Sequence, residues 1–373
     1  MIKPKLKRLA GVFSALGVVS LVGALALPTS VHAQTDTPDV LPLPEAKFNK
    51  KMVELGKYLY FDVRMSGDAA LSCASCHDPK KGWGDGEALS RGYPASEYFR
   101  NSPSILNSAY KNRFTWDGRL DGSDAGTLVR DMMTEAHTMN MDGRLAQERV
   151  KQVPEYVAMW ATAVKPGDDP NGMRIFNIIG EFVKSVVSQN VPYDKFKKGD
   201  ANAISAEAKQ GYALFKGKAN CVSCHNGPIA SDGKLHRLGV PENPEITKDP
   251  LRHITMLRHF STSGMPNYMN THTDVGSYAI TKEPKDKGKF LTQSLRDLKY
   301  TAPYMHNGMM KTLGDVVEFY NRGGGQGSEL KALGLNDAEK KALVAFLESL
   351  SGDRVVVEAP KMPAYQARTF GKN

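Results

Sequence analysis

The sequence predicts a mostly α-helical protein built from two related modules joined by long loops. Three observations carry that prediction. The arrangement Cys-x-x-Cys-His occurs twice, as Cys73-Ala-Ser-Cys76-His77 and Cys221-Val-Ser-Cys224-His225, and these hold all four cysteines of the 373-residue chain. Each copy follows a stretch of helical spacing with an aromatic and aliphatic side, Gly56-Lys-Tyr-Leu59-Tyr-Phe61 before the first and Gly211-Tyr-Ala-Leu214-Phe215 before the second, the mark of a duplicated unit. No segment shows the strict alternation of a half-buried strand.

Taken in order, the chain opens with an export-type segment. Lys3, Lys5, Lys7 and Arg8 precede an apolar run from Ala10 to Pro28, and Val31-His32-Ala33 offers a small-residue cleavage site before Gln34. Residues 1–33 are expected to be a signal peptide, with an uncleaved anchor as the alternative, and the mature protein is expected in the periplasm. Losing this segment removes four bases and no acids, which takes the formal charge from +9 to +5. So small an excess does not argue for nucleic-acid binding. Hydrophobic residues at 41% exclude a disordered chain.

Residues 34–45, rich in Pro and polar residues, read as an extended leader. The first module is assigned to residues 34–195, the second to 196–356 and a tail to 357–373. Leu145–Trp160 and Ile175–Val187 carry apolar residues at helical spacing. The polar, basic stretch from Pro192 to Asn202 marks the boundary between the modules. Asn336-Asp-Ala-Glu339 resembles a capping box. It opens a helix with Leu343, Val344, Phe346, Leu347 and Leu350 on its apolar side, stopped by Gly352. Gly323-Gly-Gly325 and Gly327 form a flexible loop. No Gly-Lys-Ser/Thr follows them, which counts against a phosphate cradle.

Two thiols separated by two residues can each form a thioether to one vinyl group of a haem, and the adjacent histidine then supplies the proximal imidazole. A disulfide or a zinc pair is the alternative, but zinc needs four ligands in closed geometry, which a histidine immediately after the second cysteine suits poorly. Two copies in an exported chain therefore predict two cytochrome c-like haem domains and two covalent haems c. Simple electron transfer needs a second protein ligand on each iron, whereas an enzyme needs one iron with an open face.

Several further motifs decide between these. Arg100-Asn101-Ser-Pro103-Ser-Ile-Leu-Asn107, then Phe114-Thr-Trp116-Asp117-Gly118-Arg119, then Leu295-Arg296, then Thr301-Ala-Pro303-Tyr304-Met-His306-Asn-Gly308 occur in that order. With the two haem motifs, they resemble the bacterial di-haem cytochrome c peroxidases and their MauG relatives. The likeness runs from about Gly56 to Gly352. It implies that Trp116 relays electrons between the haems, and leaves Trp83 and Trp160 as ordinary core aromatics. It implies calcium held by Asn101 and by the backbone carbonyls of Thr301 and Pro303, hard oxygen ligands suited to that ion. It implies propionate or structural contacts for His306 and a propionate contact for Arg296, a bidentate role suited to guanidinium. His236, His253, His259 and His272 read as surface or hydrogen-bonded residues.

Two departures from the peroxidase pattern stand out. Typical members carry a histidine in the loop after the first haem motif, but Asp78 to Phe99 contains none. The haem above His77 is therefore expected to be five-coordinate or water-bound. Typical members ligate the second haem with Met; here Val316-Val317-Glu318-Phe319-Tyr320 puts a tyrosine in that register, as in MauG, with Met305, Met309 and Met310 as the alternatives. Peroxide cleavage needs a distal acid-base group. Glu135 and His137, in Thr134-Glu135-Ala136-His137-Thr-Met139-Asn140, are the two candidates.

The resemblance thus implies an enzyme that uses hydrogen peroxide to bring haem iron to a high-valent state. Its electrons come from a small cytochrome c or copper protein, or from Trp or Tyr side chains of a protein substrate. A non-enzymatic di-haem electron carrier is the competing class. A homodimer is compatible with all three.

Overall fold

The computed structural model describes residues 38–366, apart from Ala95 and Pro166. The expected signal peptide lies outside the described residues. Among them the chain is helical, with two antiparallel pairs of two-residue strands as its only named sheet. No described helix is long and apolar enough to cross a membrane.

The first part of the chain holds α1 (Lys50–Phe61), α2 (Ala125–Thr134), α3 (Gly143–Lys151), α4 (Pro154–Ala163) and α5 (Gly172–Ser185). The Asn49 side chain accepts from the Lys51 and Met52 N–H groups and starts α1. Ile175, Phe176, Ile178, Ile179, Phe182 and Val183 of α5 are all buried, at roughly 1.5–3 kcal/mol per large side chain. They meet Leu55, Leu59 and Tyr60 of α1 in one core that also contains Trp83 and Trp160. The run Leu145–Trp160 is two helices, not one. Pro154 cannot continue α3, because it lacks an N–H and its ring clashes with the preceding turn, so it opens α4 instead.

Later in the chain come α6 (Pro192–Lys197), α7 (Ala206–Lys216), α8 (Glu245–Lys248), α9 (Pro250–Thr262), α10 (Tyr278–Thr281), α11 (Leu313–Asn321) and α12 (Asp337–Ser349). The capping box of α12 is present, with Asn336 and Glu339 bonded reciprocally. Tyr193, Phe215, Leu313, Val317, Leu343 and Phe346 form a second core. The stretch from Pro192 to Asn202 therefore does not simply link: it carries α6 and sends Tyr193 into that core.

The duplication explains a pair of glycines. A Cβ on Gly56 would lie 2.4 Å from the Ile178 carbonyl oxygen, and one on Gly211 would lie 1.9 Å from that of Ala342. In each half a glycine, three residues before a leucine, lets the helix leading to the haem motif close against its partner, α1 on α5 and α7 on α12.

A third, smaller cluster joins α8 and α9 to the loop after the first haem motif: Ile246, Met256, Phe260 and Val275 pack with Leu89 and Phe99. The Arg252 guanidinium donates to the Ser90 and Tyr98 carbonyls and pairs with Glu97. Strands β1 (Arg113–Phe114) and β2 (Leu120–Asp121) flank the Trp116 turn, and β3 (Leu235–His236) pairs with β4 (Phe290–Leu291).

The two ends cross. Val40 of the leader is fully buried in the second core, its carbonyl accepting from the Tyr193 hydroxyl, while Asp39 pairs with Lys197 and Lys216. The tail returns to the first core, where Val355 and Val357 pack and the Val355 carbonyl accepts from the Trp83 indole at 2.8 Å.

Candidate active site

Each Cys-x-x-Cys-His turn begins with a single 3₁₀ turn, Cys73–Ser75 and Cys221–Ser223, in which the histidine N–H donates back to the first cysteine carbonyl. All four thiols are free of disulfides. Burial pushes the Cys73 and Cys221 thiols up to about 12 and Cys76 to about 11, whereas His236 beside Cys224 draws that thiol below its ordinary value.

The histidines are oriented alike. His77 Nδ1 lies 3.2 Å from the Trp83 carbonyl and His225 Nδ1 lies 3.0 Å from that of Ala230. Both carbonyls belong to non-glycine residues in the left-handed region, Trp83 at φ 63 and Ala230 at φ 50, a conformation costing about 1–2 kcal/mol. In both halves that strained residue turns a carbonyl onto the imidazole. Nδ1 is thereby committed as a donor, and Nε2 is left with a lone pair for a metal. Free paired thiols and a pre-set imidazole beside each cavity fit a covalently attached haem.

Two cavities open beside these motifs. The first is lined by Cys73, Cys76, His77, Tyr98, Arg119 and His137 among others. The second is lined by Cys221, Cys224, His225, Arg296, Met305 and Tyr320. Trp116 lines both. Its indole N–H donates to the Asn101 carbonyl at 2.8 Å, and its ring meets that of His306 edge-on at 6.3 Å.

The two distal candidates separate. His137 is buried, lines the first cavity, and stacks on Tyr98 with centroids 5.4 Å apart. Glu135 is not among the cavity-lining residues. It stands behind the imidazole, Oε2 3.8 Å from His137 Nδ1, with its side chain one-third exposed. Burial, with His259, Arg258 and Arg119 nearby, pushes the His137 imidazole down to about 3, whereas burial and Asp131 raise the Glu135 carboxyl.

In the second cavity burial, aided by the two nearby thiols, drives the Tyr320 phenol above its ordinary value. Of the methionine alternatives Met305 lines this cavity and Met309 and Met310 do not. Asn101, Thr301 and Pro303 line it too, and the Asn101 N–H donates to the His306 carbonyl at 2.7 Å. Arg296 is buried, with its nitrogens bonded to Asp194, Pro228 and Leu41, so it is already held inside the protein. His306 is buried and stacked on Phe290 at 3.7 Å.

Cys224, Asp232 and His236 lie within 4.8 Å of one another, close enough for a metal, but a Cys224 sulfur committed to a thioether is lost as a thiolate ligand. His253 faces the Thr271 carbonyl, and His272 lies against His253.

One assembly escaped sequence reasoning. Arg100, fully buried, bonds Asp117 through Nη1 at 2.7 Å and Asp274 through Nε at 2.6 Å and Nη2 at 2.9 Å. Asp117 also meets Arg119, and His259 Nε2 lies 3.3 Å from it. Arg100 and Asp117 stand in recognisable motifs. Their partner Asp274 comes from the excursion through α8 to α10, which has no local signature.

The family model for di-haem cytochrome c peroxidase matches residues 50–202. Cytochrome-c peroxidase IdrP2 of Pseudomonas sp. (strain SCT) is 62% identical over 359 residues, 96% of this chain and 97% of that protein. The chain belongs to the di-haem cytochrome c peroxidase family. Methylamine utilization protein MauG of Methylorubrum extorquens is 32% identical, covering 90% of this chain and 88% of that one. Among solved structures, a MauG-like protein associated with microbial copper homeostasis superimposes with a TM-score of 0.70 at 25% identity, over 86% of this chain and 95% of the other. The diheme peroxidase BthA of Burkholderia thailandensis, at 22% identity and TM-score 0.64, over 89% and 95% of the two chains, shares the fold. This di-haem peroxidase is thus an oxidoreductase whose family carries haem c.

Proposed function

We propose that this peroxidase reduces hydrogen peroxide at the first cavity with electrons that enter at the second. The donor is a small cytochrome c or copper protein of the periplasm. Trp116, standing in the wall of both cavities, is the observation that carries the reading. Peroxide takes two electrons and two protons, its O–O bond breaks, and two waters leave.

Haem supplies the iron at which peroxide is cleaved and through which electrons pass. The chain's own residues do the rest. His77 and His225, each with Nδ1 turned to a backbone carbonyl, would present Nε2 to an iron. His137, held neutral by burial, can take the proton from one peroxide oxygen and return it to the other. Glu135 Oε2 stands 3.8 Å from Nδ1, beyond hydrogen-bond distance, with its side chain one-third exposed. Trp116 is fixed by the Asn101 carbonyl, and Asn101, Thr301 and Pro303 beside it offer oxygen ligands of the kind calcium takes. Tyr320, which lines the cavity of His225, would be the second protein ligand of a haem held there; its burial disfavours the phenolate unless a metal cation balances the charge.

A second reading, oxidation of Trp or Tyr side chains on a partner protein, is favoured by Tyr320 and by the lack of a histidine between Asp78 and Phe99. One experiment separates them. Wild type should turn over peroxide with reduced cytochrome c, and Trp116→Phe should slow this by about tenfold or more with both haems attached. An unchanged Trp116→Phe rate would remove the relay. A wild type that ignores reduced cytochrome c and small copper proteins but oxidises aromatic side chains of a protein would install the second reading.

A further inference from the structure

Lys111 sits in the short turn between Tyr110 and β1, and its side chain lines both cavities, as Trp116 does. Its ammonium donates to the Ser104 carbonyl at 2.9 Å. Among the described residues no carboxylate lies within salt-bridge distance of it. Arg100 has Asp117 and Asp274, Arg119 has Asp117 and Asp131, and Arg296 has Asp194, and each of these arginines lines one cavity; among the described residues Lys111 is the lysine or arginine that lines both. Lys111 is half-buried, a cation partly withdrawn from water without a counter-charge is costly to keep, and burial draws its ammonium down to about 8. The position therefore calls for an anion that the polypeptide does not supply. Haem supplies one, because every haem bears two propionates, and the wall between two haem cavities is where those of either macrocycle can reach a shared residue.

We propose that Lys111 is a propionate clamp set in the partition between the two cavities, and that its ammonium raises the reduction potential of the haem it grips. Reduction adds an electron to the iron, so a fixed positive charge nearby favours the ferrous form. The inference rests on the two-haem reading of the cavities and makes Lys111 a positioning and potential-setting residue, not a catalytic one.

The test is potentiometric. Lys111→Met, Lys111→Arg and wild type are purified as holoproteins, haem content is counted as the pyridine haemochrome, and both midpoint potentials are read by spectroelectrochemistry. Lys111→Met should lower one midpoint by a tenfold shift in the ferric/ferrous ratio, which is 59 mV for a one-electron couple. Lys111→Arg, which keeps the charge, should stay within a twofold shift of wild type. If neither midpoint moves in Lys111→Met with two haems attached, or if Lys111→Arg moves as far as Lys111→Met, the clamp is refuted. Should Lys111→Met fail to accumulate, Lys111→Gln gives the same reading. Peroxide turnover of wild type is measured alongside. An inert wild type with a shifted Lys111→Met potential would leave the clamp standing and remove the peroxidase reading.

Discussion

Arg100→Met removes the cation at the centre of the buried charge assembly while keeping most of the side chain's length. Three charge-assisted hydrogen bonds disappear, two to Asp274 and one to Asp117, a gross loss of about 5–9 kcal/mol at about 1.5–3 kcal/mol each. Asp117 keeps Arg119 and the Thr115 hydroxyl. Asp274 keeps only the Gly276 N–H, so its carboxylate is the one stranded. Because methionine restores apolar contact and the site relaxes, the net loss should be about 3–5 kcal/mol, as for other broken buried ion pairs. Arg100→Met/Asp274→Leu, with the stranded charge removed as well, should recover about 1–3 kcal/mol. The pH dependence adds a signature. In wild type burial works to raise the Asp274 carboxyl and Arg100 outweighs it, leaving it below its ordinary value. That pairing stabilises at neutral pH and is lost on acidification. In Arg100→Met burial is opposed only by the Gly276 N–H and the nearby His306, so the carboxyl rises and the penalty should shrink from pH 7 to pH 5. Urea unfolding of the holoproteins, followed by near-ultraviolet circular dichroism, reads all of this. A single variant within about 1 kcal/mol of wild type, or a double variant no more stable than the single, would refute the reasoning.

Three further outcomes are expected. His137→Gln should slow the reaction of oxidised protein with peroxide by about 10²–10⁴-fold and Glu135→Gln by about tenfold or less, measured by stopped flow; the reverse order would exchange their roles. Ferric-state EPR should show one high-spin and one low-spin haem, and Tyr320→Phe should alter the low-spin signal while the high-spin signal persists. The buried imidazoles of His137 and His306, pushed by burial down to about 3 and about 4, rest neutral in the folded protein at mildly acidic pH, where the unfolded chain binds protons on both. Stability should therefore fall as pH drops below about 6.5, with a melting temperature decreasing from pH 7 to 4.5 and a shallower slope in His306→Gln.

The cofactor chemistry was legible because it is local. Two thiols and an imidazole within five residues define their own geometry, and the Asn336 box and the paired glycines Gly56 and Gly211 sit beside recognisable helices. The break between α3 and α4 was in plain view at Pro154, yet the apolar spacing carried through it. Helix α9 stayed hidden because its inward side is mixed: Thr255, Met256, His259 and Phe260 are buried together, and no apolar stripe announces them. Strand pairs of two residues are too short to show alternation. Glu135 and His137 could not be told apart by counting, since they are two residues apart and only the turn after α2 decides which of them reaches the cavity.

The crossing segments mean that neither of the two cores is made of a continuous stretch of chain. A ribosome delivers Val40 long before the core that receives it, and delivers Val355 long after Trp83 needs its acceptor. A fragment ending near Pro192 would lack the last ribbon of its own module, and one beginning there would lack the first of its. The polypeptide is laced like a boot, tied only when Val355 arrives, so fragments cut near Pro192 and expressed separately should each be incomplete and regain order when mixed.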